Sequence, residues 1–221
     1  MNKIKLNTTY KKLLADTVTP VSVYLKLRDR YENSILLESS DYHGDENSFS
    51  YICCEPIASF MVKDHVYEIQ LPGQEESGKL KSAEVVTKLD EFAASFEAET
   101  EEFKFINNGL FGYIGYDANR YFEEIPVTQG KTDEYGIPDI QYHVYRYVIA
   151  IDHFKNELYL FEHSPEGTSP KGIEAIETLV NNKNYPSYEF IPESEEQSNY
   201  TDEEFLNIID EGMKHCFRGD V

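Results

Sequence analysis

Tryptophan does not occur among the 221 residues, and cysteine occurs three times. Cys53 and Cys54 are adjacent while Cys216 is remote in sequence. An odd count with a vicinal pair gives no disulfide framework, so a reducing, cytoplasmic compartment is expected. Positive charge is scarce as well: 20 Lys and Arg stand against 41 Asp and Glu, a formal net charge of −21. Phosphate backbones and anionic lipid repel such a surface, and few cations are present to release counterions. This argues against nucleic-acid and membrane partners. Long apolar runs are missing too. No stretch approaches the roughly 20 residues that span a bilayer, and the opening MNKIKLNTTYKKLL lacks an apolar signal core.

What is present is a globular composition, 40% hydrophobic and 28% charged, in a chain long enough to bury a core. The 17 Tyr and 13 Phe favour sheet. Leu6, Tyr10, Leu13 and Leu14 share a helical face, so residues 6–17 are predicted helical, with Pro20 blocking continuation. Val21, Val23, Leu25 and Leu27 alternate with Ser22, Tyr24 and Lys26, which predicts a strand over 21–27. A turn at 31–33, a strand at 34–40 and a polar loop at 41–47 follow. Further strands are predicted at 49–54, 58–63 and 66–71, with a solvated loop at 71–81.

Val85, Leu89, Phe92 and Phe96 mark a helix over 82–96, trailed by an exposed acidic stretch at 97–102. Residues 109–117 read as a glycine-punctuated strand. Residues 142–152 and 157–163 read as a hairpin across Phe154-Lys155-Asn156. Ser169-Pro170 is expected to open a helix whose apolar face is Ile173, Ile176, Leu179 and Val180. Thr201 and Glu204 form a capping box ahead of a last helix striped by Phe205, Ile208, Ile209, Met213 and Phe217. The expected class is α+β, with largely antiparallel sheets and flanking helices. The expected organisation is a domain over 1–185, a linker over 186–200 and a helix over 201–221 that leads into a further domain.

The common catalytic patterns are absent. GLFGYIG places glycine at every third position, unlike a dinucleotide or phosphate loop. His43, His65, His143, His153, His163 and His215 lack metal-ligand spacing. Pairs such as Glu101-Glu102 and Glu195-Glu196 lie in polar runs and read as solvated surface. No catalytic residue and no metal ligand is assigned.

Two segments stand out. In Leu36-Leu37-Glu38-Ser39-Ser40 a carboxylate and two hydroxyls follow a buried apolar strand. The plain reading is a strand running out into a loop with local hydroxyl bonding. The functional one is a strand end that offers a carboxylate to an ammonium group and a hydroxyl to either end of an amino acid. Gly109, Gly112 and Gly115 fall in one strand. Glycine weakens a strand interior, so close backbone approach under Phe111, Tyr113 and Tyr116 is preferred over direct ligand contact.

These segments carry a family resemblance. NGLFGYIGYDANRYFE (108–123) resembles the N-terminal signature of anthranilate synthase component I, and LLESS (36–40) resembles that family's feedback-site motif. Pro20 to Tyr24, the stretch from Asp133 to His163, and SNYTDEEF to FRGDV follow the family pattern as well. The resemblance implies a partial chorismate-utilising-enzyme fold. It implies a parent enzyme converting chorismate and ammonia to anthranilate and pyruvate with Mg²⁺. Ammonia would come from a glutamine amidotransferase partner, component II, and tryptophan would inhibit from a site between sheets.

Carried over by motif, Glu38 and Ser39 contact the inhibitor, with Pro20 a further contact. The catalytic residues and Mg²⁺ ligands would lie beyond Val221, so the chain alone is expected to be inactive. One departure lies at 47–53, where the resemblance implies a basic-flanked segment and NSFSYIC offers Ser48 and Ser50 instead. One contact to the inhibitor's carboxylate is therefore expected to be weaker or supplied from elsewhere. A fragment of aminodeoxychorismate synthase component I and a stand-alone binding domain remain the alternatives.

Overall fold

The computed structural model describes residues 3–38, 48–98, 103–123, 135–182, 189, 191 and 197–220. The chain forms two compact units, Met1–Pro186 and Ser187–Val221. The expectations for the loop at 41–47, the strand end at 39–40, most of the acidic stretch at 97–102 and most of the linker fall outside the described residues.

The first unit opens with β1 (Ile4–Leu14) and α1 (Pro20–Arg28), the reverse of the helix and strand predicted there. Both errors have a cause. A spacing of four residues, as in Leu6, Tyr10 and Leu14, lies on one face of a strand as well as of a helix, and long-range pairing decides between them. The apparent alternation over 21–27 is overridden by the cap before it. The Thr19 hydroxyl accepts from the Ser22 N–H, the Ser22 hydroxyl accepts from the Thr19 N–H, and Pro20 occupies the first turn. Val23 and Leu27, four apart, are then buried on one face of the helix, with Pro20 buried at its start.

Strands β2 (Ile35–Glu38), β3 (Phe49–Lys63) and β4 (Val66–Leu71) fall where apolar runs predicted strand. The loop expected at 71–81 is instead β5 (Gln74–Lys79), joined to β4 through a turn in which Gly73 has φ +76°. α2 (Ser82–Ala94) is followed by β6 (Phe96–Ala98), so Glu97 lies in a strand, exposed as expected. β7 (Phe111–Ile114) is shorter than predicted and passes into a 3-10 helix at Tyr116–Tyr121. β8 (Ile140–Asp152) and β9 (Glu157–Pro165) form the expected hairpin. α3 (Glu174–Asn181) starts after the expected Ser169-Pro170. The buried Glu162 carboxylate accepts the Lys171 and Gly172 N–H groups at 2.6 and 3.0 Å, which holds that stretch out of the helix.

The described strands form one sheet in the order β5-β4-β3-β8-β9-β1-β6, with β2 also on β3 and β7 also on β8. Pairing is antiparallel except for β1 with β6. A bulge between Pro56 and Ala58, beside Glu55 at φ +59°, divides β3. Its first half lies between β2 and β8, and its second half between β4 and β8.

Alternation along the strands distributes side chains to separate cores. Ile52, Cys54 and Ile149 pack with Val23 and Leu27 of α1 and with Ile176 of α3. Phe60, Val62 and Ile140 pack with Val85 and Phe92 of α2. Cys53, Phe111, Tyr145 and Phe161 form a third, aromatic cluster with Phe103 and Phe105.

In the second unit, α4 (Asp202–Arg218) has the expected Thr201–Glu204 capping box and ends at Gly219 with φ +75°. Among the described residues of that unit nothing covers its apolar stripe, and Phe205, Ile208, Ile209, Met213 and Phe217 are exposed. None of the described helices is long and apolar enough to cross a membrane.

Candidate functional site

The glycine-rich segment is built for sheet packing. A Cβ added at Gly112 would lie 1.9 Å from the Gln141 carbonyl oxygen, so that position admits no side chain. Gly115 donates its N–H to the Asp139 carbonyl at 2.7 Å. The 3-10 helix then delivers Arg120 and Tyr121 to the Asp139 carboxylate. Tyr121 Oη donates to Asp139 Oδ2 at 2.7 Å, the Asp64 N–H donates to the same oxygen at 3.0 Å, and Arg120 Nη2 binds it too. Burial alone would raise the Asp139 carboxyl. The bonds from Tyr121, the Asp64 N–H and Arg120 outweigh it and hold the group below its ordinary range. This network ties the 3-10 helix to the β3–β4 turn and to the start of β8.

The stretch leading into β7 is pinned across the sheet by His163. A carbonyl can only accept, so His163 Nε2–H donates to the Asn107 oxygen at 2.9 Å, and Nδ1 accepts from the Thr8 hydroxyl at 2.9 Å. Burial pushes this imidazole down to about 4. Phe103 and Phe105 pack beside it against Tyr10, Tyr159 and Phe161.

This arrangement brings the two sequence motifs to one concavity. A cavity of about 600 Å³ is walled by Leu37, Phe49, Tyr51, Phe111 and Tyr142, with Glu38 the one charged residue of its described lining. Register shows how Glu38 sits. Leu37 opposes Tyr51, and Glu38 opposes Ser50. Directly opposed residues project from the same face of a sheet. The Glu38 side chain therefore shares its face with Ser50, and Leu37 shares the aromatic face with Tyr51. Glu38 ends an edge strand and is exposed.

The face of Glu38 and Ser50 is also the face of α1. One same-face step away, two residues before Glu38 and two after Ser50, Leu36 and Ile52 pack in the core that holds Val23 and Leu27. Pro20 is buried at the start of that helix and is not in the cavity lining. The fold thus sets the helix that begins at Pro20 against the strand that ends at Glu38, on one side of the sheet. Ser39 lies outside the described residues.

Reading the sequence missed the neighbours of Ser50. Its hydroxyl lies 2.7 Å from His153 Nε2, and the His153 N–H donates to the Ser48 carbonyl at 3.1 Å. Ser48 and Ser50 are legible as a same-face pair from their spacing of two. His153 has no local signal, since it arrives through the β8–β9 hairpin. Among the described residues no group of three or more His, Cys, Asp or Glu is placed to hold a metal ion.

Comparison with known proteins places these features in context. A family model described as chorismate binding enzyme matches residues 32–221. Anthranilate synthase component 1 of Thermus thermophilus is 32% identical over 165 residues, which are 75% of this chain and 33% of the relative. That of Pseudomonas aeruginosa is 32% identical over 177 residues, 78% of this chain and 36% of the relative. That of Aquifex aeolicus is 25% identical and covers 96% of this chain and 45% of its own length. A crystal structure of anthranilate synthase component I from Streptococcus pneumoniae aligns with a TM-score of 0.43 at 22% identity, over 77% of this chain and 35% of that one. The chain therefore spans less than half the length of these relatives.

Proposed function

Since the chain belongs to the family of chorismate binding enzymes, we propose that it is the amino-terminal, tryptophan-sensing portion of an anthranilate synthase component I. The whole enzyme, in this reading, converts chorismate and ammonia to anthranilate and pyruvate in the tryptophan branch of cytoplasmic metabolism. A glutamine amidotransferase subunit, component II, supplies the ammonia. Mg²⁺ serves the reaction from ligands outside these residues, and none of them is assigned to the metal.

This portion contributes half of the inhibitor site. Glu38 meets the ammonium group of tryptophan, Ser39 bonds to its head group, and Pro20 supplies apolar contact. The observation that carries the reading is the common face of α1 and the end of β2. It draws Pro20 and Glu38, 18 positions apart in sequence, to one side of the sheet. A carboxylate at the end of a strand whose other residues are apolar suits a ligand with a charged head and an aromatic body.

Inhibition of the full-length enzyme provides the test. Ser39→Phe puts bulk into the head-group position, and the tryptophan concentration for half-inhibition is expected to rise at least about tenfold, or ~1.4 kcal/mol. An unchanged value removes Ser39 from the site. The 221-residue chain alone is expected to form no anthranilate from chorismate and ammonia. Turnover by the pure chain would overturn the division between sensing and catalysis.

A further inference from the structure

We propose that Asn108 is a covalent modification site, at which the backbone nitrogen of Gly109 displaces the side-chain amide and leaves a mixture of aspartate and isoaspartate without an enzyme. The proposal does not depend on the inhibitor-site reading above.

Asn108-Gly109 is the single Asn-Gly step in the 221 residues. Two anchors flank it. Upstream, the Asn107 carbonyl accepts from His163 Nε2–H at 2.9 Å. Downstream, β7 begins at Phe111, which pairs with His143. The step between the anchors is not held. Asn108 Nδ2 is buried and has no hydrogen-bond partner among the described residues, so the amide has no bond to break on leaving its place. The Gly109 N–H donates to none of the described residues either. Gly109 is exposed, and a Cβ built on it would meet no atom within 4 Å. Its φ of +140° is open only to glycine. The nucleophilic nitrogen is therefore unbonded, reached by solvent and free of a side chain that would crowd its attack.

The step balances with water alone. The Gly109 nitrogen gives its proton to hydroxide and attacks Asn108 Cγ. The new C–N bond closes a succinimide, the Cγ–Nδ2 bond breaks, and Nδ2 takes a proton from water and leaves as ammonia. A second water then opens the ring at either carbonyl. Opening at one leaves aspartate, and opening at the other leaves isoaspartate. Nothing is oxidised or reduced.

Other asparagines lack one of these features. The N–H that follows Asn181 donates to the Thr178 carbonyl at 3.1 Å. The one that follows Asn199 donates to the Ser198 hydroxyl at 3.3 Å. Asn7 and Asn156 precede Thr8 and Glu157, which carry side chains and sit in paired strands. A backbone N–H already in a hydrogen bond has to lose it before it can attack.

The product changes the entry to β7. Isoaspartate routes the main chain through the side-chain carbon, which adds a methylene between the Asn107 held by His163 and the start of the strand. Leu110 and Phe111, just beyond, line the cavity described above. The insertion therefore acts on that wall, and the new carboxylate replaces a neutral amide beside it.

Incubation of the full-length protein in mildly alkaline buffer made with heavy-oxygen water, followed by proteolysis and mass spectrometry, tests the assignment. The peptide that holds Asn108 is expected to gain the mass of deamidation and one heavy oxygen before any other asparagine peptide does. Its rate is expected to match that of a free synthetic peptide spanning 106–111. Asn108→Gln is expected to lose the gain at that position, because the longer side chain closes its ring far more slowly. Isoaspartate-directed carboxyl methylation should then label the aged wild type and not this variant. Gly109→Ser is expected to slow the reaction, and Asn108→Gln keeps the test decisive if the serine variant does not fold. Retardation in the folded protein beyond about tenfold against the free peptide, which is ~1.4 kcal/mol of protection, would overturn the proposal. Faster conversion at another asparagine would overturn it too.

Discussion

The two segments that stand out in the sequence end up with opposite jobs. Around β7, the motif's special residues are consumed by the fold. Gly112 makes room for the Gln141 backbone, Tyr121 and Arg120 bind Asp139, and His163 pins the stretch that leads in. At the end of β2, Glu38 is exposed and its neighbour across the strand pair leads to a buried hydroxyl with no partner. A motif can therefore be distinctive because the backbone needs it or because a ligand does. Which one applies is read from whether its polar atoms already have partners.

Substitutions should separate the two regions by stability. The largest effect is expected at Gly112→Ala. The added Cβ meets backbone rather than a flexible side chain, so β7 has to move from β8, at a cost of about 3 kcal/mol. Urea unfolding measures it, and a loss under ~1 kcal/mol would mean that β7 is free to shift.

Next comes the pH dependence from His163, whose folded value near 4 lies below its ordinary 6.5. Between those values the unfolded chain takes up a proton that the folded chain refuses. This stabilising contribution is present above about pH 6.5 and is lost as pH falls toward 4. Between pH 7 and 5 it amounts to about 2 kcal/mol. His163→Gln should lose less stability than wild type over that interval by roughly the same amount, read from paired unfolding curves. Parallel curves would show that the imidazole is not kept neutral.

The smallest effect is expected at Glu38→Gln, within about 0.5 kcal/mol of wild type, as for exposed positions outside the core. A large loss there would place Glu38 among the residues that hold the fold and erase the contrast.

Much of the fold was legible in local pattern. The β8–β9 hairpin followed from two β-rich runs around Phe154-Lys155-Asn156, and α2 and α4 from stripes and caps. The helix expected over 6–17 and the strand expected over 21–27 are a strand and a helix instead. The spacing of Leu6, Tyr10 and Leu14 fits either period, and the capping box at Thr19 carries more weight than the alternation after it. β5 was hidden because its polar sequence, QEESGK, is specified by pairing with β4 rather than by burial. At the site, Glu38 was visible as a carboxylate ending an apolar strand, and Ser48 and Ser50 as a spacing of two. Their link to His153 was not, because it spans 103 residues between Ser50 and the imidazole.

By itself the sequence determined the α+β class, the acidic composition, the hairpin, the capping box of α4 and the two segments that stand out. These depend on neighbours within a turn or a strand, where periodicity and caps act. The tertiary structure decided that the first element is a strand and the second a helix, and that Gly112 is filled by a neighbouring backbone. It also set Glu38, Ser50 and His153 on one face. Those outcomes depend on the register between distant strands, and a shift of one residue would turn every side chain to the other side.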